Sequence, residues 1–503
     1  MTDPDARVAR LHGRLDAAAH AVLTSPPQPH GDAARDAGDL LAAMVDELIS
    51  TRDGSLAWLL LAATAGHLPT TEQVEALLDQ LALEPCAAEL AAHVLRHAAE
   101  TIRDRGELDR ELRVVSGAVL ADVDHAARFN RHTGIQRVTR EVCSRWTTRT
   151  DLTLLAWDEK QTMLRGLSPV ERDRVLRWSG PVDSDADDAA LAAAASAVLP
   201  WRCHVLLPEV SQGQTATPLA ALARYSGSAV VMIGYDAIPI TSAEMRPAAE
   251  PTMYVRYLRV VKHSRRVAAI STSATAEFGG FAASLEPQGL AGPDVVEVML
   301  ASDRPPELAP PARRDRPLVL CVGSHEPHKN HLAVLHAAEL CWRSGLDFDL
   351  DFIGGAGSGS APLDARLDAL AAAGRPVRTR RGVGDAELWQ AYRDATFTVF
   401  PSLHEGFGLP VVESVACGTP AITTAYGSTG EIAARGGCLV VDPRDDEALT
   451  HAMRLLLTDR AELNRLEQEA ALVSVRTWDD YAGELYEALV TAVPVVRATE
   501  VRA

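Results

Sequence analysis

Apolar residues recur at helical spacing from the start of the chain, at Val8, Leu11, Leu15 and Ala19 and again at Leu40, Leu41, Met44 and Leu48. Intervals of three and four residues put such side chains on one helix face, so residues 1–110 are expected to form a helical accessory domain. Pro26, Pro27 and Pro29 separate its first helix from its second, because proline removes a backbone donor and clashes with the preceding turn. Thr70 with Gln73 predicts a capping box opening a helix over 74–83, and Pro85 precedes another through Ala99. No catalytic motif lies in this segment, so packing, self-association or partner binding is its expected role.

From residue 111 the pattern changes. Short apolar runs at Val114-Val115, Val119-Leu120, Leu152–Leu155, His204–Leu207, Ala229–Ile233 and Arg266–Ile270 alternate with helical stretches. The first two read as a strand pair ending at Asp122-Val123-Asp124. Residues 301–317 hold five prolines and seven charged groups, the composition of an interdomain linker. A second series follows at Leu318–Val322, Leu350–Ile353, Val377–Thr379, Phe397–Phe400, Ala421–Thr423 and Cys438–Val441, and a helix around Tyr481–Val490 closes the chain. Strands alternating with helices predict an α/β fold with largely parallel sheets. Two such units, over 111–302 and 318–478 with a linker at 303–317, create a cleft between their strand C-terminal ends.

Length and composition narrow the functions. A chain of 503 residues needs two or three cores, and 47% hydrophobic with 23% charged residues describes a globular protein. The formal net charge of −19 argues against nucleic acid as a partner and disfavours docking on an anionic membrane. Seven cysteines are scattered with no C-x-x-C pair, so neither a zinc ribbon nor a disulfide framework is expected. The acidic N-terminus lacks a signal-peptide pattern, and the longest apolar run, Leu56–Ala65, is about half of a membrane span. No transmembrane segment and a cytoplasmic location are the expectation.

Candidate chemistry concentrates in residues 400–431. The strand Phe397–Phe400 ends at Pro401, a turn carries Glu405-Gly406-Phe407-Gly408-Leu409-Pro410, and Val411–Ala416 is helical up to Gly418. Strand, glycine-rich turn and helix place backbone N–H groups and a helix N-terminus beside Glu405, with Glu413 on the helix. That suits a polar, phosphate-bearing ligand. Glycosidic-bond hydrolysis needs two carboxylates facing each other across one bond. One acid in the turn and one on the helix fit hydroxyl binding better, since a carboxylate can accept two hydroxyl hydrogen bonds. Lys329 follows Gly323 in a second strand-to-helix turn and is a candidate diphosphate ligand, where charge and helix dipole add. Each residue alone has a plainer reading: a solvated turn lysine for Lys329, surface or capping acids for Glu405 and Glu413. Gly354–Gly359 lacks the Gly-Lys-Ser/Thr of a P-loop and reads as a flexible strand-exit loop. Asp183–Asp188, and Asp347, Asp349 and Asp351, lack the pattern of a calcium loop and read as solvated acids, so no metal site is expected.

Together these residues resemble a known family. Glu405-Gly406-Phe407-Gly408-Leu409-Pro410 with Glu413 is similar to the E-x7-E signature of retaining GT-B glycosyltransferases of glycosyltransferase family 4, the glycosyl transferases group 1 type. Gly323–Asn330 resembles the G-x-x-E-P-R-K-N segment, and Gly384–Leu388, Pro401-Ser402, Gly418-Thr419-Pro420, Gly430-Glu431 and Asp442-Pro443 follow the same order. In the first unit, Thr133-Gly134-Ile135-Gln136-Arg137, Tyr235–Pro239 and Ala269-Ile270-Ser271 are looser matches. The resemblance implies a GT-B fold, with two Rossmann-like domains facing across a cleft and segment 479–503 returning to the first. It implies that Lys329 holds the donor diphosphate and Glu413 the ribose. Glu405, with the amides of Phe407, Gly408 and Leu409, would hold the transferred sugar, with Gly323 beside the phosphates. Val383, Glu387 and Leu388 would line the base pocket, Gly134 would let the first domain's backbone reach the phosphate, and Asp236 would sit near the acceptor. Lys329, Glu405 and Asp236 are the expected catalytic residues. Tyr235 stands where the family often has histidine, Ser324 where many members have arginine, and His328 replaces the arginine of E-P-R-K-N, leaving donor charge to Lys329.

The implied activity is metal-independent, retaining transfer of a hexose-type sugar from a nucleotide sugar to a saccharide or secondary-metabolite acceptor, with no cofactor. GDP-mannose-like donors are favoured, with UDP- and dTDP-sugars as alternatives. Competing readings are a nucleotide-sugar epimerase or hydrolase, and a catalytically silent subunit acting as an assembly partner.

Overall fold

The computed structural model describes residues 4–106, 110–130, 133–178, 180–211, 213–302, 307–312 and 314–495. Parts of the expected helical segment (1–3 and 107–109), of the linker (303–306 and 313) and of the closing segment (496–503) lie outside the described residues. The N-terminal helices are Pro4–Val22, Ala33–Thr51, Gly54–Ala65, Thr71–Ala82 and Ala87–Arg105. The third is buried at every position from Leu56 to Ala65, as a helix apolar on all sides must be. Thr70 and Gln73 form the capping box: Gln73 N donates to Thr70 Oγ1 at 3.4 Å, and Thr70 N to Gln73 Oε1 at 2.8 Å. The helices share one apolar core with the first sheet. Trp58 stacks on Trp201 at 6.4 Å, and Leu68 N donates to Thr162 O at 2.9 Å. The helical segment is therefore packed as a layer of the first sheet domain.

The first sheet comprises β1 (Leu112–Val115), β2 (Val119–Asp122), β3 (Leu152–Trp157), β4 (Leu164–Gly166), β5 (Ala197–Pro200), β6 (His204–Leu207), β7 (Ala229–Gly234), β8 (Arg266–Ala269) and β9 (Asp294–Glu297). Its order is β1-β5-β4-β3-β2-β6-β7-β8-β9. All pairings are parallel except those of β4 with β3 and β5. The expected pairing of β1 with β2 does not occur. β1 pairs with β5 and β2 with β6, so two chain segments run side by side through a shared break. Trp201 N donates to Val115 O and Gly117 N to Arg202 O across it. Gly117, at φ +67°, makes that break in the chain path between β1 and β2.

The second sheet comprises β10 (Leu318–Val322), β11 (Asp349–Ile353), β12 (Val377–Arg380), β13 (Phe397–Val399), β14 (Ala421–Thr424) and β15 (Cys438–Val441), in the order β12-β11-β10-β13-β14-β15. Every pairing is parallel. Strand order reverses between β10 and β13, which opens a crevice at their C-terminal ends. The turn after β10 carries Lys329, and the turn after β13 carries Glu405. The first sheet reverses between β2 and β6, and the chain beyond β2 leads into the helix Gly134–Arg149. The closing helix Trp478–Tyr486 packs on that helix, with Trp146 Nε1 donating to Ala482 O at 2.9 Å. Trp478, Tyr481 and Leu485 share an apolar cluster with Ile233 of the first domain and with Phe407 and Val411 of the second.

Candidate functional site

Gly323 leaves β10 at φ +149°, and a 3-10 turn over Pro327–Lys329 precedes the helix His331–Arg343. Leu403 N donates to His328 O at 2.8 Å, which pins the β13 turn to the β10 turn. Lys329 Nζ donates to both oxygens of Glu405, at 2.6 and 2.8 Å. The two side chains are 14% and 10% exposed, so this is a largely desolvated ion pair. The run after β11 is not the free loop that its glycines suggest. A Cβ on Gly354 would lie 1.8 Å from Gly323 O, and one on Gly357 2.7 Å from His325 O. These glycines allow β11's exit to press against the Lys329 turn.

Gly408 adopts φ +109° and opens the helix Leu409–Ala416, with Pro410 in its first turn. One turn further, Glu413 is 4% exposed. Arg137 Nη1 of the first domain donates to its Oε1, and Tyr392 Oη donates to its Oε2 at 2.9 Å. Burial opposes the Arg137 charge, but the Glu413 carboxylate outweighs it and holds the guanidinium firmly protonated. The expected ribose ligand therefore has a protein partner on each oxygen, with further lone pairs left to accept hydroxyls.

Other bonds cross the cleft beside this pair. Ser271 Oγ donates to Gly406 O at 2.8 Å. Thr272 N and Ser273 N, at the head of the helix Thr272–Ala283, donate to Glu431 at 3.1 and 2.8 Å, an acid on a positive helix end. His404 Nε2 hydrogen-bonds Glu277 Oε1 at 2.7 Å, and its Nδ1 shares a hydrogen bond with Ser242 Oγ at 3.0 Å. Arg246 Nη1 donates to Glu326 Oε1 at 3.0 Å. A Cβ on Gly406 would lie 2.7 Å from Tyr235 O and 2.9 Å from Asp236 Oδ2, so only glycine lets Asp236 approach this turn. Gly406→Ala should wedge the domains apart and lower turnover by about 10²-fold, the scale of an ångström-sized misplacement. Small-angle scattering should report a wider envelope, with unchanged secondary structure by circular dichroism.

The three departures from the family pattern each have a structural setting. Tyr235 Oη donates to Pro208 O at 2.6 Å and the ring is 5% exposed, so it serves the first domain's interior. Ser324 Oγ donates to Glu326 Oε2 at 3.0 Å. Burial, with Lys329 beside it, pushes His328 down to about 4, so it is neutral at pH 7. Neither Ser324 nor His328 supplies a cation.

Burial pushes Asp236 up to about 6, and the hydrogen bond to Glu277 raises His404. Buried Asp122 and Glu209 are pushed up to about 7 and about 8, chiefly by desolvation. A raised value means that the folded protein binds the extra proton, so its stabilising effect is lost as pH rises through that value. Histidines lowered by burial, such as His331 and His263, have the opposite sign, but only below the ordinary histidine value. Between pH 6.5 and 8.5 the raised groups dominate, and the melting temperature should fall. Melting curves of His404→Gln should show a flatter fall over that window.

The remaining expected residues are less concentrated. Val383 and Leu388 flank the cluster of Trp389 and Tyr392, whereas Glu387 is 58% exposed and pairs with Arg380 at 2.7 Å. Phe407 is 7% exposed in the interdomain core. Gly134 opens its helix, and a Cβ there would meet only Leu409 Cδ1, at 3.8 Å, so its lack of a side chain is not demanded by the protein around it. Residue pattern alone did not single out Arg137, His404, Glu277 or Arg246, whose partners lie on the other domain.

No described helix is long and apolar enough to cross a membrane. All seven cysteines are unpaired. Residues 307–473 match the family model "Glycosyl transferases group 1". The MMP alpha-(1->4)-mannosyltransferase of Mycolicibacterium hassiacum is 35% identical over 112 residues, which are 22% of this chain and 27% of the relative. The O-antigen chain mannosyltransferase B of Escherichia coli is 32% identical over 142 residues, 28% of this chain and 37% of the relative. The alignments thus span well under half of these two curated relatives, 27% and 37% of their lengths. Anabaena HepE, solved with UDP and glucose, superposes with a TM-score of 0.53 at 12% identity, covering 75% of this chain and 99% of that one. The chain has the GT-B fold with a helical N-terminal region, and its second sheet domain carries a glycosyl transferases group 1 segment.

Proposed function

We propose that this protein is a retaining, metal-independent glycosyltransferase of family 4 type. It moves a hexose-type sugar from a nucleoside diphosphate sugar to a saccharide or small-molecule acceptor. The observation that carries this reading is the Lys329–Glu405 pair at the β10/β13 reversal, with Glu413 one helical turn beyond and the first domain's Asp236 against Gly406. In this reading Glu405 turns to the sugar hydroxyls as the diphosphate takes Lys329. Glu413 accepts the ribose hydroxyls. Lys329 and the N-termini of the two helices that follow β10 and β13 stabilise charge on the leaving diphosphate, a role that a divalent cation plays elsewhere. The acceptor enters beside Asp236 and attacks the same face through an oxocarbenium-like state, while the closed cleft excludes water.

The names of the two mannosyltransferase relatives favour a mannose donor. Incubation with GDP-mannose, UDP-glucose and dTDP-glucose in the presence of EDTA, read by mass spectrometry, tests the reading. Slow donor hydrolysis or transfer to added saccharides without metal is expected, fastest with GDP-mannose. Strict dependence on added Mg²⁺ or Mn²⁺ contradicts metal independence, and no turnover of any donor favours a catalytically silent subunit.

A further inference from the structure

A nucleoside diphosphate carries negative charge on both phosphates, and the second domain supplies little to meet it. Lys329 is the only cation of the β10 turn, Ser324 is uncharged and His328 is held neutral. Two arginines of the first domain reach across instead. Arg246 is shared between Glu250 of its own domain, at 2.7 Å, and Glu326. Arg137 donates to the Glu413 carboxylate, the group expected to hold ribose. Its side chain is 18% exposed, and its guanidinium lies 5.8 Å from the Trp478 ring centroid.

We infer that Arg137 is a second ligand of the donor diphosphate, delivered across the cleft, and that Glu413 holds it in place until a nucleotide arrives. This rests on the glycosyltransferase reading above. In a nucleotide the 3′-hydroxyl of the ribose is joined to the first phosphate through C3′, C4′, C5′ and O5′, so the two lie at opposite ends of one sugar ring. A guanidinium already on the ribose carboxylate is therefore one sugar ring away from that phosphate. Arginine suits the move because its fork offers five donors, enough to keep one on Glu413 while two engage a phosphate. The exchange also keeps charge balanced: Glu413 accepts ribose hydroxyls as Arg137 gains an anion, so no buried charge is left alone. Because Arg137 sits on the first domain, phosphate binding through it ties donor occupancy to the closed cleft.

The test measures dissociation constants for GDP, UDP and dTDP by calorimetry across a range of NaCl concentrations. It uses wild type, Arg137→Gln and Arg137→Lys. Glutamine can still donate to Glu413, which spares the fold. Lysine keeps the charge and serves as the second variant should the first misfold. For the diphosphate that wild type binds most tightly, Arg137→Gln is expected to weaken binding at least tenfold and to flatten the salt dependence. Arg137→Lys is expected to weaken it less and to keep the wild-type salt dependence. Unchanged or tighter binding by Arg137→Gln overturns the inference, since Arg137 would then only obstruct Glu413. Weaker binding with an unaltered salt dependence also overturns it. If wild type binds none of the three diphosphates, it is the glycosyltransferase reading that fails.

Discussion

Replacing Lys329 by methionine is expected to lower sugar transfer by about 10²–10³-fold, the range observed when one preorganised electrostatic donor is removed from an active site. The ammonium is held by both oxygens of Glu405 at 2.6 and 2.8 Å, in a setting where the two side chains are only 14% and 10% exposed. Charge developing on a leaving diphosphate would meet it in a low-dielectric crevice, where its field is strong. The same substitution strands Glu405, so some stability is lost too, and rate and melting temperature must be measured together. Lys329→Arg keeps the charge but replaces a compact ammonium by a planar fork. It should melt close to wild type and still lose most of the rate. A Lys329→Met enzyme with wild-type turnover would remove the leaving-group role outright.

Glu413→Ala should be the most destabilising substitution in the second domain's helix Leu409–Ala416. Truncation leaves Arg137 without its buried anion and Tyr392 without its acceptor. Breaking a buried ion pair by removing one partner costs about 3–5 kcal/mol, and an orphaned hydroxyl adds about 1–3 kcal/mol. The carboxylate is expected to hold a ligand and also joins the two domains. Glu413→Gln retains one acceptor oxygen for Tyr392 and should lose far less stability, while still weakening nucleotide binding at least tenfold. Urea denaturation read by tryptophan fluorescence separates the two variants. Glu413→Ala with a wild-type midpoint would contradict the cross-domain role.

Local chemistry made half of this site readable in advance. Lys329, Glu405, Gly408 and Glu413 lie in two strand–turn–helix units, where glycine, proline and the switch in periodicity mark the geometry within a few residues. What could not be read were the partners brought by the other domain. Arg137 and Glu413 are 276 positions apart, and Glu277 and His404 are 127 apart. No spacing rule spans such distances, and each of these residues alone resembles an ordinary surface charge.

The same limit governed the sheets. Apolar runs such as Ala229–Gly234 identified themselves, whereas β4 places Arg165 and Gly166 after one leucine, β5 ends on Pro200 and β9 carries an acid at each end, so none of the three reads as an apolar strand. The path of β1 and β2 depends on Ala197–Leu207, a segment on which neither strand's own residues report. Gly354 and Gly357 looked like flexibility and proved to be close approach, a distinction that only the neighbouring turn can make.

A nucleoside diphosphate is expected to bind in the crevice between β10 and β13. Thermal unfolding of the intact chain with GDP, UDP and dTDP tests it most directly. A ligand present at a hundred times its dissociation constant stabilises the folded state by about 2.7 kcal/mol, a shift of roughly 5–10 °C for a domain of 150–250 residues, where each kcal/mol is worth roughly 2–4 °C. At least one of the three should produce such a shift in wild type and a much smaller one in Lys329→Met. A cooperative melt that none of them moves would rule out a nucleoside diphosphate site in this crevice.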